Sequence, residues 1–379
     1  MKRKGLLLIC LIISLNLYAQ FSSSSDFVTR IWTTADGLPA NSVSSVIQTS
    51  DGYMYFGTYE GLVKFDGYDF ITINKYSDYQ GKKYGFVSAR ALLEDSEGNL
   101  WVGSNDEGVY KIEGDSCISF TTADGLCNNS VRSLAEDKNH NIWVGTASGI
   151  VYITPSGKIE KPECVDDVDL SHVLVEKLYC DTAGRIWMLT NDVNGLYIYG
   201  EKAFVRYKDL DFMAPYNASG IGQDSSGTFW FSLGAKGIVK INTSLIAPVK
   251  TDTILDTMEV FNIYCDSSGA LWFGAEKGLV CYKNGEFSEF TENASFRNTT
   301  ISSIIGDREG NIWVTTDSTG VGKISPGKFR MKNIDTPVNS IAEGKDGLVW
   351  IGSDRGLLCY KNEEEITNEL TQYCGGTRV

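Results

Sequence analysis

Arg90, Arg132 and Glu176 are side chains that could hold a ligand, and each stands eleven residues before a repeated aromatic. The same place reads Ser44, Ser219, Phe261, Ser302 and Asn339 in the other copies, and the residue before it is mostly Val or Ala. A row of varied polarity behind a uniform apolar neighbour suggests side chains that face a channel or its mouth. Guanidiniums in adjacent copies are suited to an anionic sugar, because each presents a planar fork of donors. The same arginines could instead pair with Glu176 or with Asp in nearby loops. Tyr59, Tyr84, Tyr216 and Trp32 offer rings that could stack on sugar faces. Asp106, Glu107 and Glu176 raise a further chemistry, since cleaving a glycosidic bond takes two acids across a cleft.

Other chemistries find little support. Two isolated histidines, His140 and His172, and scattered cysteines match no metal-ligand spacing. We therefore expect no metal and no cofactor. Eight of the nine cysteines follow residue 20, with no CxxC pair. Cys180 and Cys265 occupy one place in two repeats, and Cys281 and Cys359 another, as small buried hydrophobes would. Cys117 with Cys127 is the local candidate for a disulfide. The formal charge of −14 argues against nucleic acid, whose affinity comes from Lys and Arg neutralising phosphates.

The aromatics that set the register are Tyr55, Trp101, Trp143, Trp187, Trp230, Trp272, Trp313 and Trp350, spaced by 46, 42, 44, 43, 42, 41 and 37 residues. A period of this size signals a solenoid or a propeller. Six before most markers is Asp, and three before is Gly, or His140 in one copy. Asp opens a tight turn by accepting the amides that follow, and Gly closes it at positive φ. Where His140 replaces Gly, Asn139 is expected to take the left-handed conformation. A second Gly, from Gly61 to Gly356, follows each marker by six to eight residues and marks another hairpin. Alternating stretches such as "SVRSLAED", "GIVYI" and "EFSEFT" complete four antiparallel strands per unit. Units of this kind are β-propeller blades. The marker Trp belongs inside the blade, where burying it contributes about 5 kcal/mol gross.

Trp32 falls outside this series. "TTADGL" occurs at Thr33 and again at Thr121, where an outer strand runs into the next blade. Residues 27–33 are thus expected to be an outer strand that completes the last blade and covers its edge. The fold expected is all-β: seven blades closed by this strand plus the start of a further blade, or one eight-bladed ring. Residues 1–20 carry a basic start and an apolar run, which reads as a signal peptide. Residues 21–335 would be the propeller, and 336–379 the partial blade and a ragged C-terminus. No stretch after residue 20 is apolar for long enough to span a membrane, so the chain is expected to be periplasmic or secreted. The longer connectors Asn74–Arg90, Thr154–His172 and Asp209–Ser219 are rich in Tyr, Asp and Lys, as a sugar-binding face would be.

The pattern D-x-x-G-x-[IL]-W-[VIF]-G with "DGLPANSV" between blades resembles the two-component-regulator propeller repeat over residues 27–361. The resemblance implies the periplasmic sensor region of a hybrid histidine kinase, with two consecutive seven-bladed rings and a glycan-derived oligosaccharide as ligand. It further implies partners: a second propeller or the kinase portion of a longer sensor, and a homodimer through the sensor. A kinase segment is missing from this chain, so no enzymatic activity is expected of it. The alternatives are a secreted protein-interaction platform and a carbohydrate-active hydrolase or lyase.

Overall fold

The computed structural model describes residues 27–73, 76–77, 83–84, 88–165, 169–191, 195–200, 202–207, 218–233, 237–241, 259–290, 296–326, 334–344, 347–361 and 364–379. The expected leader at residues 1–20 lies outside them. The chain divides into two compact units, residues 1–327 and 328–379.

In the first unit each marker aromatic sits on the second strand of its own antiparallel sheet. The first sheet shows the pattern: Val43–Gln48, Met54–Thr58, Gly61–Phe65 and Phe70–Ile73, hydrogen-bonded in chain order. Six more sheets follow the same order of strands. Three depart in detail. The sheet of Trp230 has three strands among the described residues. Those of Trp101 and Trp187 carry extra short strands at the outer edge, Tyr76–Ser77 and Glu163–Cys164, each paired parallel to the sheet.

The sheets are joined through their apolar faces. Trp143 packs with Val175, Leu178, Ile186 and Met188 of the following sheet. Trp187 does so with Ile221, Phe229 and Phe231, and Trp272 with Ile301, Ile304 and Ile312. The series returns to its start, because Trp313 packs with Val43, Val46, Met54 and Phe56 of the first sheet. This is the β-propeller class, and the core is a circle of such interfaces rather than one central mass.

The seventh sheet takes its outer strand from the beginning of the chain. Phe27–Trp32 pairs antiparallel with Val321–Pro326 along its whole length. The join reproduces an ordinary blade-to-blade link. Thr34 N–H donates to Asn41 Oδ1 at 2.8 Å, as Thr122 N–H does to Asn129 Oδ1 at 2.8 Å. Gly320 lies under the Trp32 carbonyl and Gly108 under that of Phe120. A Cβ at either would stand 2.1 Å from the oxygen, so neither site has room for a side chain.

The D-x-x-G turns are built as the sequence suggests, with one addition. Asp266 Oδ1 accepts the Ser268 and Ala270 amides at 2.8 and 2.9 Å. Its Oδ2 accepts the Trp272 indole N–H at 2.9 Å. Asp95, Asp137, Asp181, Asp224 and Asp307 each hold the Trp six residues on in the same way, at 2.7–2.9 Å. The carboxylate thus fixes both the turn and the buried indole. Desolvation pushes Asp266 up, but these donors outweigh it and hold its pKa below the ordinary value.

Two expectations are corrected at the residue level. His140, not Asn139, takes the left-handed conformation, with φ 62°. The turn fixes which position must be left-handed, and His occupies it. Cys117 and Cys127 are not joined in a disulfide. Cys117 is buried in the core that holds Tyr110 and Leu100, whereas Cys127 packs in the next one beside Leu126 and Val131.

The second unit has one sheet, Val338–Glu343, Leu348–Ser353, Gly356–Lys361 and Glu364–Glu365. A short helix, Glu369–Tyr373, follows. Its first turn is capped by Asn368, which accepts the Thr371 amide at 3.0 Å.

Candidate functional site

A β-bulge in the innermost strand creates the site. In this strand the buried apolar residues stand three apart, as Val43 and Val46, Val131 and Leu134, Val175 and Leu178, Val260 and Ile263, or Ile301 and Ile304. A regular strand would place them two or four apart. The register skips one residue between each pair: Ser44, Arg132, Glu176, Phe261 and Ser302 are left without a partner opposite. A bulge frees a residue from the ladder and re-aims its side chain. These are the members of the row eleven before the marker.

The row converges on one cavity of about 460 Å³, lined by Arg90, Arg132, Glu176, Ser219, Phe261 and Ser302. Lys177, Glu259 and Asn262 also line it. The structure therefore brings together three of the expected residues, Arg90, Arg132 and Glu176. Tyr59 is not among the residues that line the cavity; it is 59% exposed, and its phenol acts on Arg90 electrostatically. Tyr84 lies on the strand Lys83–Tyr84, at the sheet edge opposite the inner strand. Tyr216 lies outside the described residues. Trp32 is no stacking platform, being 4% exposed and stacked on Trp313 at 5.3 Å; closing the seventh sheet buries it.

The arginines do not use Glu176 as an ion-pair partner. Among the described residues neither Arg90 nor Arg132 has a carboxylate within 4.0 Å. Arg90 reaches only Asn105 Oδ1, at 3.4 Å. The Arg132 Nε–H is buried with no hydrogen-bond partner. Desolvation lowers the Arg90 pKa, and the neighbouring Arg132 lowers it further, against Tyr59 and Glu176.

Lys177 and Asn262 are functional candidates that the row analysis missed. Each follows the bulged residue by one position. Lys177 Nζ donates to Asn262 Oδ1 at 2.9 Å, two sheets away. Gly220 holds the equivalent place in the sheet between them and contributes no side chain. Asn262 Nδ2 donates onward to the Ile301 and Ser302 carbonyls at 3.1 and 2.8 Å. Desolvation depresses the Lys177 pKa to about 8.

A second cleft, of about 530 Å³, lies beside Phe27 and Trp272. Two of its three carboxylates, Asp266 and Asp307, are already committed to turn amides and indoles, leaving Glu286. The axial cavity gathers several uncommitted charged groups and is the better site. Among the described residues no group of three His, Cys, Asp or Glu could hold a metal ion. No helix there is long and apolar enough to cross a membrane.

Comparisons with known proteins bear on the fold and the repeat. A family model described as two component regulator propeller matches residues 37–60, 83–106, 125–148, 295–318 and 334–355. No curated protein matches. Among solved structures, the chain is similar to the extracellular domain of a putative hybrid two component system from B. thetaiotaomicron, at 20% identity and a TM-score of 0.66. That match covers 91% of this chain and 49% of the other, so this chain spans about half of that domain. PorZ, a surface component of the type-IX secretion system of Porphyromonas gingivalis, matches at 17% identity and a TM-score of 0.60, over 91% of this chain and 57% of PorZ. Virginiamycin B lyase from Staphylococcus aureus matches at 16% identity and 0.59, over 79% of this chain and 99% of the lyase. At these identities the structures speak for the fold alone. The five matches mark those segments as two-component-regulator propeller repeats, and the structures agree with a β-propeller fold.

Proposed function

We propose that this chain is a ligand-sensing portion of an exported two-component system, which binds an oligosaccharide at its axial cavity and passes the signal to a kinase segment outside the sequence given. The carrying observation is the bulge row: a rigid ring aims varied polar side chains, with Phe261 among them, into one cavity. Binding sites on propellers need this combination of stiff sheets and individually variable side chains. The reading assigns the chain no reaction. Residues 1–20 act as the export signal, 21–335 as the propeller, and 336–379 as part of a further blade.

The last unit supports a longer sensor. Val338 and Ile341 are 43% and 67% exposed, whereas their counterparts in the ring, such as Ile301 and Ile304, are buried. Another blade or another protein surface would cover them, and a second propeller of the same sensor fits that need.

Thermal-shift measurements against a panel of neutral and anionic oligosaccharides test the reading, because a ligand that binds only the folded state raises its melting temperature. We expect a saturable rise of several degrees for at least one sugar. A flat response across the panel would count against direct sugar sensing.

A further inference from the structure

We propose that the axial cavity contains an oxyanion site, in which Arg132, Arg90 and Lys177 together take one carboxylate or sulfate group. This deepens the sensor reading above and rests on it for the sugar that would carry the group.

The argument begins with what the cations lack. Three positive side chains share a cavity of about 460 Å³, in a chain with 48 acidic residues and a net charge of −14. None of the three has a carboxylate within 4.0 Å among the described residues. Glu176 and Glu259 also line the cavity, so three cations face two carboxylates and one positive charge is in excess. A cavity wall of low polarisability strengthens the repulsion among the cations. An anion entering the cavity would relieve it. Glu176 and Glu259 offset part of the charge, but neither is within 4.0 Å of the three cations, and Glu176 is exposed, so water screens it.

Donor geometry points the same way. The buried Arg132 Nε–H has no partner, and a buried donor is normally satisfied by protein, water or ligand. A guanidinium offers Nε–H and Nη–H side by side, the fork that fits two oxygens of a carboxylate or sulfate. Lys177 spends one donor on Asn262 Oδ1. Asn262 is fixed by two backbone carbonyls, so the ammonium is held in place with donors to spare. The depressed Lys177 pKa is a further mark of an amine held without a compensating anion.

The test titrates the full chain by calorimetry and thermal shift with three probes. These are sodium sulfate against sodium chloride at matched ionic strength, a uronic-acid oligosaccharide, and a neutral oligosaccharide of equal length. The expected result is saturable sulfate or uronate binding that weakens at least tenfold in Arg132→Gln. Arg132→Gln must melt as a folded protein. Should it not, Lys177→Gln replaces it with the same expectation, and Glu176→Gln, expected to tighten anion binding, provides a variant that only removes charge at the rim. Neutral sugar binding without uronate or sulfate binding overturns the oxyanion site and leaves the sensor reading standing. Sulfate binding with no response to either sugar supports the oxyanion site and overturns the sugar as its source. Binding of none of the probes overturns both.

Discussion

At the residue scale, the chain divides its charged groups into those that hold the fold and those that do not. The repeated Asp is of the first kind, spending both oxygens on turn amides and an indole. Lys177 is of the second, since burial depresses its pKa to about 8 from an ordinary 10.5. Its charged neighbours in the cavity are Arg90, Arg132, Glu176 and Glu259. A folded pKa below the unfolded one means that charging the amine opposes folding. The penalty is complete below about pH 8 and is relieved between 8 and 10.5, where the unfolded chain binds more protons. Lys177→Met is therefore expected to stabilise the protein at pH 7. The gain should be on the order of 1–2 kcal/mol, once the lost bond to Asn262 and some access of water are allowed for. Melting curves from pH 7 to 10.5 check this, and the gain must shrink across that range. A variant that melts no higher at pH 7, or whose advantage stays constant, removes the premise that Lys177 is held at a cost.

At the element scale, the seventh sheet depends on a strand from the other end of the sequence. Trp32 is its anchor, stacked on Trp313 at 5.3 Å and edge-on to Phe65 at 5.5 Å. Trp32→Ala should cost about 3–5 kcal/mol, measured by denaturant unfolding. A loss below about 1 kcal/mol would mean that the strand is not needed to close the sheet. This closure was legible in the sequence, because "TTADGL" recurs where the same link recurs. The blades were legible for the same reason: Asp, Gly and Trp each answer a strict local demand. The Asp-to-indole bond was not, since turn formation already accounted for the Asp. The bulges were less legible still. Their trace is two polar residues between apolar ones, as in "SVSSV", which interrupts the period of two. Without the bulge, Lys177 beside Glu176 reads as a residue facing the other side of the strand. Trp32 was misplaced because an aromatic ring looks the same in sequence whether it faces a ligand or a core. Only the packing distinguishes the two.

At the scale of the whole molecule, one repeat serves in two settings. Within the ring the inner strands present their apolar pairs to the aromatic of the preceding sheet, Tyr55 in one case and Trp in the others, so Ile304 is 6% exposed in the cluster with Trp272. In the second unit the same pair is in solvent, and Ile341 is 67% exposed. Sequence position is equal and the physical load is not. Ile304→Ala should cost about 2–5 kcal/mol, through lost burial and the cavity left behind. Ile341→Ala should stay within about 0.5 kcal/mol, as exposed sites do. Chemical unfolding of the two variants side by side reads the difference directly. Comparable losses would show that Ile341 is already covered, by a second copy or by some other surface, and the proposal that its face awaits a further blade would fail. Unequal losses would leave that face open, and adding a downstream blade should then raise the cost of Ile341→Ala towards that of Ile304→Ala.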